Sequence, residues 1–414
     1  MSSIGWVDFS ERERQRTAEV LRLLDEPGSL DALGIGRIRD AFSDLFFPGT
    51  STIQTRARYF LIVPWIYREL ESRTPRRDPR GEAEGSERRL IDAFNEARSN
   101  GSAGDLDGLI GSQAGSNVQQ LPSDIYWQGL EEWGIRTRSG PKRVFLLEAR
   151  QRKIGGPVRA EEEMDSVHSS WWDRNLPEQP DDLVSHPTLA LTEGEATYLR
   201  DLIAINENGT LLAHLARQHG PLPDASHVWH LPVEYLDLPE QLASDLDHAR
   251  RFSHLIHGSH ILYYLMLAEL KGDERQIDSH RSALEEWREV SLAERGDLNA
   301  WFGDKGARAN FWVTVSRSNP NAPSGTEKRF VEEWFDLSIG ALPDGVDRPE
   351  TRDLIANREL HLKGPQRAKL SNASAREYTR GPDSVGALDF RWGTVKRLLL
   401  DIHEGLSEHE VLDA

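Results

Sequence analysis

The hydrophobic and polar positions of this chain keep a helical period over most of its length. The longest signal runs from Pro239 to Leu270, where Leu242, Leu246, Ala249, Phe252, Leu255 and Ile256 share one stripe. It continues as Ile261-Leu-Tyr-Tyr-Leu-Met-Leu-Ala-Glu-Leu270, apolar nearly all round, as in a helix buried in the middle of a domain. Arg281–Glu294 and Glu327–Leu337 are amphipathic helix candidates, and a helix from Leu191 is capped at Thr192. Val395, Leu398, Leu399 and Ile402 predict a closing amphipathic helix. Asn310–Ser316 is read as one strand or one buried turn of helix, and Val144–Leu147 as part of a helix or a strand opened by Pro141.

Near the start, Ser10-Glu-Arg-Glu13 has the spacing of a capping box ahead of Val20, Leu21, Leu23 and Leu24, and Pro27-Gly28 ends that helix. A short helix over Gly36–Phe46 is stopped by Pro48-Gly49. Thr50 or Ser51 then caps a second helix running to Leu70, with Ile53, Ala57, Phe60, Leu61 and Pro64 on its stripe. Residues 72–89 read as an exposed, charged connection, and 99–120 as a Gly/Ser-rich loop. Ser123 to Trp133 is a further helix. The expected fold is a mainly α, multi-domain helical protein with a helix–turn–helix-like N-terminal unit and minor β content. The expected segments are an N-terminal helical unit 1–71, a linker with a second helical unit 72–150, an acidic central domain 151–300 and a basic C-terminal region 301–414.

Charge and composition narrow the function. The chain has 414 residues, no cysteine and a net charge of −18. Disulfides, thiolate zinc sites, iron–sulfur clusters and a cysteine nucleophile are therefore excluded. No apolar run reaches the roughly 18 residues of a membrane helix, and no leader pattern opens the chain, so the expected location is cytoplasmic with no membrane partner. Residues 160–250 carry 18 acidic against 4 basic residues, whereas 351–400 carry 10 basic against 5 acidic. Neither a P-loop, a dinucleotide-binding glycine turn nor a nucleophile elbow is present, and no cofactor is expected.

Four groups of residues could carry function. Thr55, Arg56 and Arg58 would lead the second helix of a helix–turn–helix toward a groove, with the alternative that the arginines pair internally with Asp40 or Asp44. Arg358, His361, Lys363, Arg367, Lys369 and Arg376 fall within 19 residues and could follow a phosphate backbone or dock on the acidic region. His254 and His257 are one helical turn apart and could share a metal ion, against the reading as core histidines. Asp124 with Glu148 resembles a magnesium-nuclease pair, although Arg150 stands where such a site needs lysine.

Several stretches resemble an uncharacterised bacterial family, the domain-of-unknown-function family 6361. They are Ile4-Gly-Trp-Val-Asp-Phe-Ser10, Leu33-Gly-Ile-Gly36, Leu45 through Phe60, Pro122-Ser-Asp-Ile-Tyr-Trp127, Phe252 through His260, Leu265-Met-Leu-Ala-Glu269 and Leu388-Asp-Phe-Arg-Trp392. The resemblance spans nearly the whole chain and implies no known activity or catalytic residues. It does imply a place beside the helicases and methylases of anti-phage islands. Ser259 and His260 depart from the smaller residues expected after Gly258, which argues against close helix packing there. The combined expectation is a non-catalytic adaptor or nucleic-acid-contacting subunit of a bacterial multi-protein system for phage defence. Its partners would be other proteins of that system and nucleic acid. The alternative is a metal-dependent nuclease or another metal-site enzyme.

Overall fold

The computed structural model describes residues 32–72, 78–155, 170–218, 220–318, 323–377 and 381–407. The expected Ser10–Glu13 capping box and its helix lie outside these residues. Fifteen α-helices are present among the described residues, and the β content there is one isolated bridge between Arg136 and Trp172. No helix among them is long and apolar enough to cross a membrane. Contacts divide the described residues into two compact units, each gathering distant segments: 46–237 with 391–407, and 32–45 with 238–390.

In the first unit, α2 (Tyr59–Ser72) packs on α3 (Pro79–Asn100) and α4 (Pro122–Glu132), and α5 (Lys142–Gly155) packs on α3. Their shared core is aromatic. Tyr67, Trp127 and Phe145 meet with ring centroids 5.2 to 6.0 Å apart, and Trp171 and Trp172 close the cluster. A buried Glu87 ties three of these helices together, accepting from the Ser123 backbone at 2.8 Å, the Ser123 hydroxyl at 2.7 Å and the Tyr67 hydroxyl at 3.2 Å. The closing helix α15 (Trp392–Ser407) lies on α6 (Glu193–Asn206) and α7 (Leu211–Ala216). Its Val395, Leu398, Leu399 and Ile402 are fully buried, as the periodicity requires.

Two expectations change in this unit. Of residues 72–89, read as an exposed connection, those from Pro79 onward belong to a helix of 22 residues, Pro79–Asn100. Asp78 caps it and Pro79 occupies its first turn, so the Pro and Gly spacing marks a helix start rather than a loop. The helix expected from Thr50 begins only at Tyr59, so the helix–turn–helix order is not formed. Its first turn, Tyr59 to Ile62, is buried and could not lie in a groove.

The second unit is built around α8 (Glu240–Lys271), a helix of 32 residues. From Phe252 to Ala268 almost every position is buried, so neighbours surround it on all sides. It is covered by α9 (Glu274–Ala293), α12 (Gly325–Ser338) and α13 (Pro349–Lys363). Indole N–H groups fasten two of these neighbours: Trp287 donates to the His254 carbonyl at 2.7 Å and Trp334 to the Leu255 carbonyl at 2.8 Å. Phe42 of α1 (Gly36–Phe46) joins Phe252, Phe311 and Phe390 with centroids 5.4 to 6.1 Å apart. Asn310–Ser316 lies within α11 (Lys305–Ser318), which settles the strand-or-helix ambiguity for helix.

The packing at Gly258 is close, contrary to the expectation drawn from Ser259 and His260. Those two side chains turn back on their own helix, the Ser259 hydroxyl donating to the Ile256 carbonyl at 2.7 Å and His260 Nδ1 lying 3.0 Å from the same oxygen. Gly258 itself faces the Trp287 indole, which a Cβ at this position would strike. A helix-interior Gly→Ala change ordinarily gains about 1 kcal/mol. Here overpacking costs roughly 1–3 kcal/mol. Gly258→Ala should therefore lower the denaturant midpoint, and a raised midpoint would show that the indole gives way freely.

Candidate nucleic-acid interface

The segment between Phe47 and Tyr59 is held out of helical conformation by local hydrogen bonds and by tertiary ones to Tyr126 and Asp401. The Thr50 hydroxyl donates to the Phe47 carbonyl at 2.6 Å, and the Gln54 amide to the Gly49 carbonyl at 3.1 Å. The Tyr126 hydroxyl receives the backbone N–H groups of Thr55 and Arg56 at 2.8 and 3.1 Å and donates to the Arg56 carbonyl at 2.9 Å. The Ala57 N–H goes to Asp401 Oδ2 at 2.7 Å. These partners satisfy the backbone groups that a first helical turn would otherwise leave open.

Asp401 is also the partner of Arg56. The guanidinium Nε lies 2.8 and 2.9 Å from the two carboxylate oxygens, while Nη1 reaches the Asp107 carbonyl at 2.8 Å and Asp105 at 2.7 Å. Both Arg56 and Asp401 side chains are 1% exposed. Burial pushes the Arg56 pKa down, but the bonds to Asp401 and Asp105 outweigh it and hold the guanidinium above its ordinary value. Arg58 donates to Glu195 at 2.8 Å and to the Thr188 carbonyl at 3.0 Å, with its guanidinium over the Trp65 ring. Glu195 at the same time accepts the Thr192 N–H at 3.0 Å in the capping box of α6. The two arginines are therefore internal to the unit. The correct half of the expectation is ion pairing, but the partners are Asp401, Asp105 and Glu195 rather than Asp40 or Asp44. Asp40 pairs with the neighbouring Arg39 at 2.9 Å.

The nuclease-like carboxylates are separately engaged. Asp124 accepts the Leu121 N–H at 3.1 Å in the first turn of α4 and pairs with Lys142. Glu148 sits on a helix rather than a strand, bonded to Arg138 at 2.8 and 2.9 Å and to the Trp171 indole at 2.9 Å. His254 contacts the Ser291 hydroxyl at 2.8 Å and stacks on Trp287, while His257 Nε2 meets the Val385 carbonyl at 2.8 Å. Among the described residues, no three His, Asp or Glu side chains are grouped to hold a metal ion.

The basic C-terminal segment divides by depth. Arg358 is buried on α13, donating to the carbonyls of Leu33 at 2.8 Å and Gly34 at 2.9 Å, with its guanidinium over Phe330. Lys363 ends the helix and pairs with the buried Glu359 at 3.0 Å, which also accepts from Tyr263 at 2.7 Å. Gly364, with φ +72°, turns the chain into a loop. Arg367 is exposed on that loop and donates to the Lys363 carbonyl at 3.2 Å. Burial, then the charges of Lys363 and Lys271, push the Lys369 pKa down, with Glu359 opposing.

A cavity of about 270 Å³ opens between α12 and α13 beside this segment. Thr326, Arg329, Phe330 and Glu333 line it from α12, and Leu354, Asn357, Arg358 and His361 from α13, each set at helical spacing. That repeated spacing was the signal available in the sequence. In the sequence, Arg358 and His361 stand out for their charge alone.

Residues 1–405 match the model of a family of unknown function, DUF6361, and the chain belongs to that family. No curated protein and no solved structure matches it.

Two measurements test the internal assignments. Removing one partner of a buried pair typically costs roughly 3–5 kcal/mol. Arg56→Ala should lose stability on that scale in chemical denaturation. Unchanged stability would return Arg56 to a contact role. Burial, with help from His257 and Arg250, lowers the His254 pKa from 6.5 to about 4. Its folded pKa lies below the unfolded one, so this contribution to stability is complete above 6.5 and is lost as pH falls toward 4. An NMR titration should find the ring neutral at pH values where an ordinary histidine is half protonated. A midpoint near 6.5 would contradict burial.

Proposed function

We propose that this protein is a non-catalytic, nucleic-acid-contacting subunit, and that the contact runs along residues 358–376 of the second unit. The observation that carries this reading is the turn at Gly364, which brings exposed Arg367 and half-buried Lys369 onto one loop beside Lys363 at the end of α13. The chain's −18 charge repels a polyanion at long range, so a local cationic surface must supply the attraction. Engagement of Asp124 and Glu148 by Lys142, Arg138 and Trp171 supports a role without cleavage. A subunit of this kind acts through the proteins that accompany it. The setting in a bacterial phage-defence system rests on the family resemblance alone.

The test is a binding titration on duplex and single-stranded DNA at several salt concentrations, with Lys363, Arg367 and Lys369 changed together to Gln. Each phosphate-contacting cation contributes about one unit to the slope of log affinity against log salt. The variant should bind more weakly to all sequences, with a slope smaller by up to about three. The DNA should stay uncut in magnesium or manganese. Unaltered binding by the variant, or cleavage by the wild type, would overturn the proposal.

A further inference from the structure

The cavity between α12 and α13 has a composition that phosphate contact alone does not call for. Phe330, which is 3% exposed, lines it, and the Arg358 guanidinium lies over that ring with 5.2 Å between its carbon and the ring centroid. Exposed Arg329 and His361 line it from opposite helices. Asn357 and Glu333 add an amide and a carboxylate. The Arg358 side chain is fixed in place by its bonds to the Leu33 and Gly34 carbonyls at 2.8 and 2.9 Å, so its orientation is set before any ligand arrives.

A volume of about 270 Å³ falls just under the roughly 300 Å³ at which pockets for drug-sized molecules begin. It suits one flat ring rather than a large ligand. Guanidinium planes such as that of exposed Arg329 are surfaces on which unstacked bases settle, and Asn and Glu side chains pair with the edges of adenine and cytosine. Cations on both helices suit the phosphates on either side of such a base. The cavity and the cationic loop are joined through α13, which carries His361 into Lys363 and Gly364.

We infer that the α12–α13 cavity holds one unpaired base of a single-stranded nucleic acid whose backbone follows residues 363–369. This inference rests on the proposed phosphate contact and adds to it the strandedness of the ligand and the residues that meet the base. A duplex, with its bases stacked and paired, cannot offer a ring to the cavity without first being opened.

The experiment compares a short single-stranded DNA with a strand of equal length built from abasic sugars, using fluorescence anisotropy, and adds the matching duplex. Stacking of one base corresponds to roughly tenfold in affinity. The wild type should bind the base-bearing strand about tenfold tighter than the abasic one. Asn357→Trp, at an exposed helix position, fills the cavity and should abolish that preference while leaving affinity for the abasic strand in place. Asn357→Ala should reduce the preference with the thermal midpoint unchanged. Equal binding of both strands by the wild type, with binding still weakened by salt, overturns the base site and leaves the phosphate contact standing. Duplex bound as tightly as single strand also overturns the base site. Binding of neither strand overturns both readings.

Discussion

The path of the first unit depends on the buried pair between Arg56 and Asp401. Asp401 lies on the closing helix, 345 positions from Arg56, and its carboxylate meets both the guanidinium and the Ala57 N–H. The pair therefore fastens two ends of the sequence into one core and also fixes backbone that would otherwise continue as helix. Neither charge could remain there alone, since an isolated buried ion is strongly unfavourable. Tyr126 completes the arrangement through the three bonds of its hydroxyl to Thr55 and Arg56. A segment that reads as a capped, cationic helix start is in fact a knot of tertiary contacts ahead of α2.

This changes what the two sets of basic residues do. Those near position 56 are consumed inside the fold, each with a carboxylate at salt-bridge distance. Of those near position 367, Arg358 is buried and Lys363 pairs with Glu359, while exposed Arg367 and half-buried Lys369 follow a glycine with positive φ onto a loop. Identical side-chain chemistry thus has opposite roles, decided by burial and partners rather than by residue type. The proposed nucleic-acid contact belongs only to the second set.

Most of the helical framework was legible in the sequence because periodicity is local. α8 shows its burial through an apolar run on all faces, and α15 through a single stripe whose residues are fully buried. The N-cap of α6 was legible at Thr192 for the same reason. What was not legible depends on distant partners. Nothing near Arg56 announces Asp401 or Tyr126, and nothing near Arg58 announces Glu195. The helix over Pro79–Asn100 was missed because its charged, glycine-bearing face resembles a connection until Ile91 and Phe94 are seen buried. At Gly258 the sequence misled for a different reason: the residues that follow are bulky, but it is the glycine alone that meets Trp287.

The division between internal and available cations is the central claim, and amide hydrogen exchange with and without single-stranded DNA tests it most directly. The account predicts that the N–H groups of Thr55, Arg56 and Ala57 exchange slowly in the free protein and are unaffected by the DNA. Amides across residues 358–376 and the facing turns of α12 should slow when it is added. Rapid exchange at Thr55 to Ala57 that becomes protected by DNA, with no change across 358–376, would contradict the account.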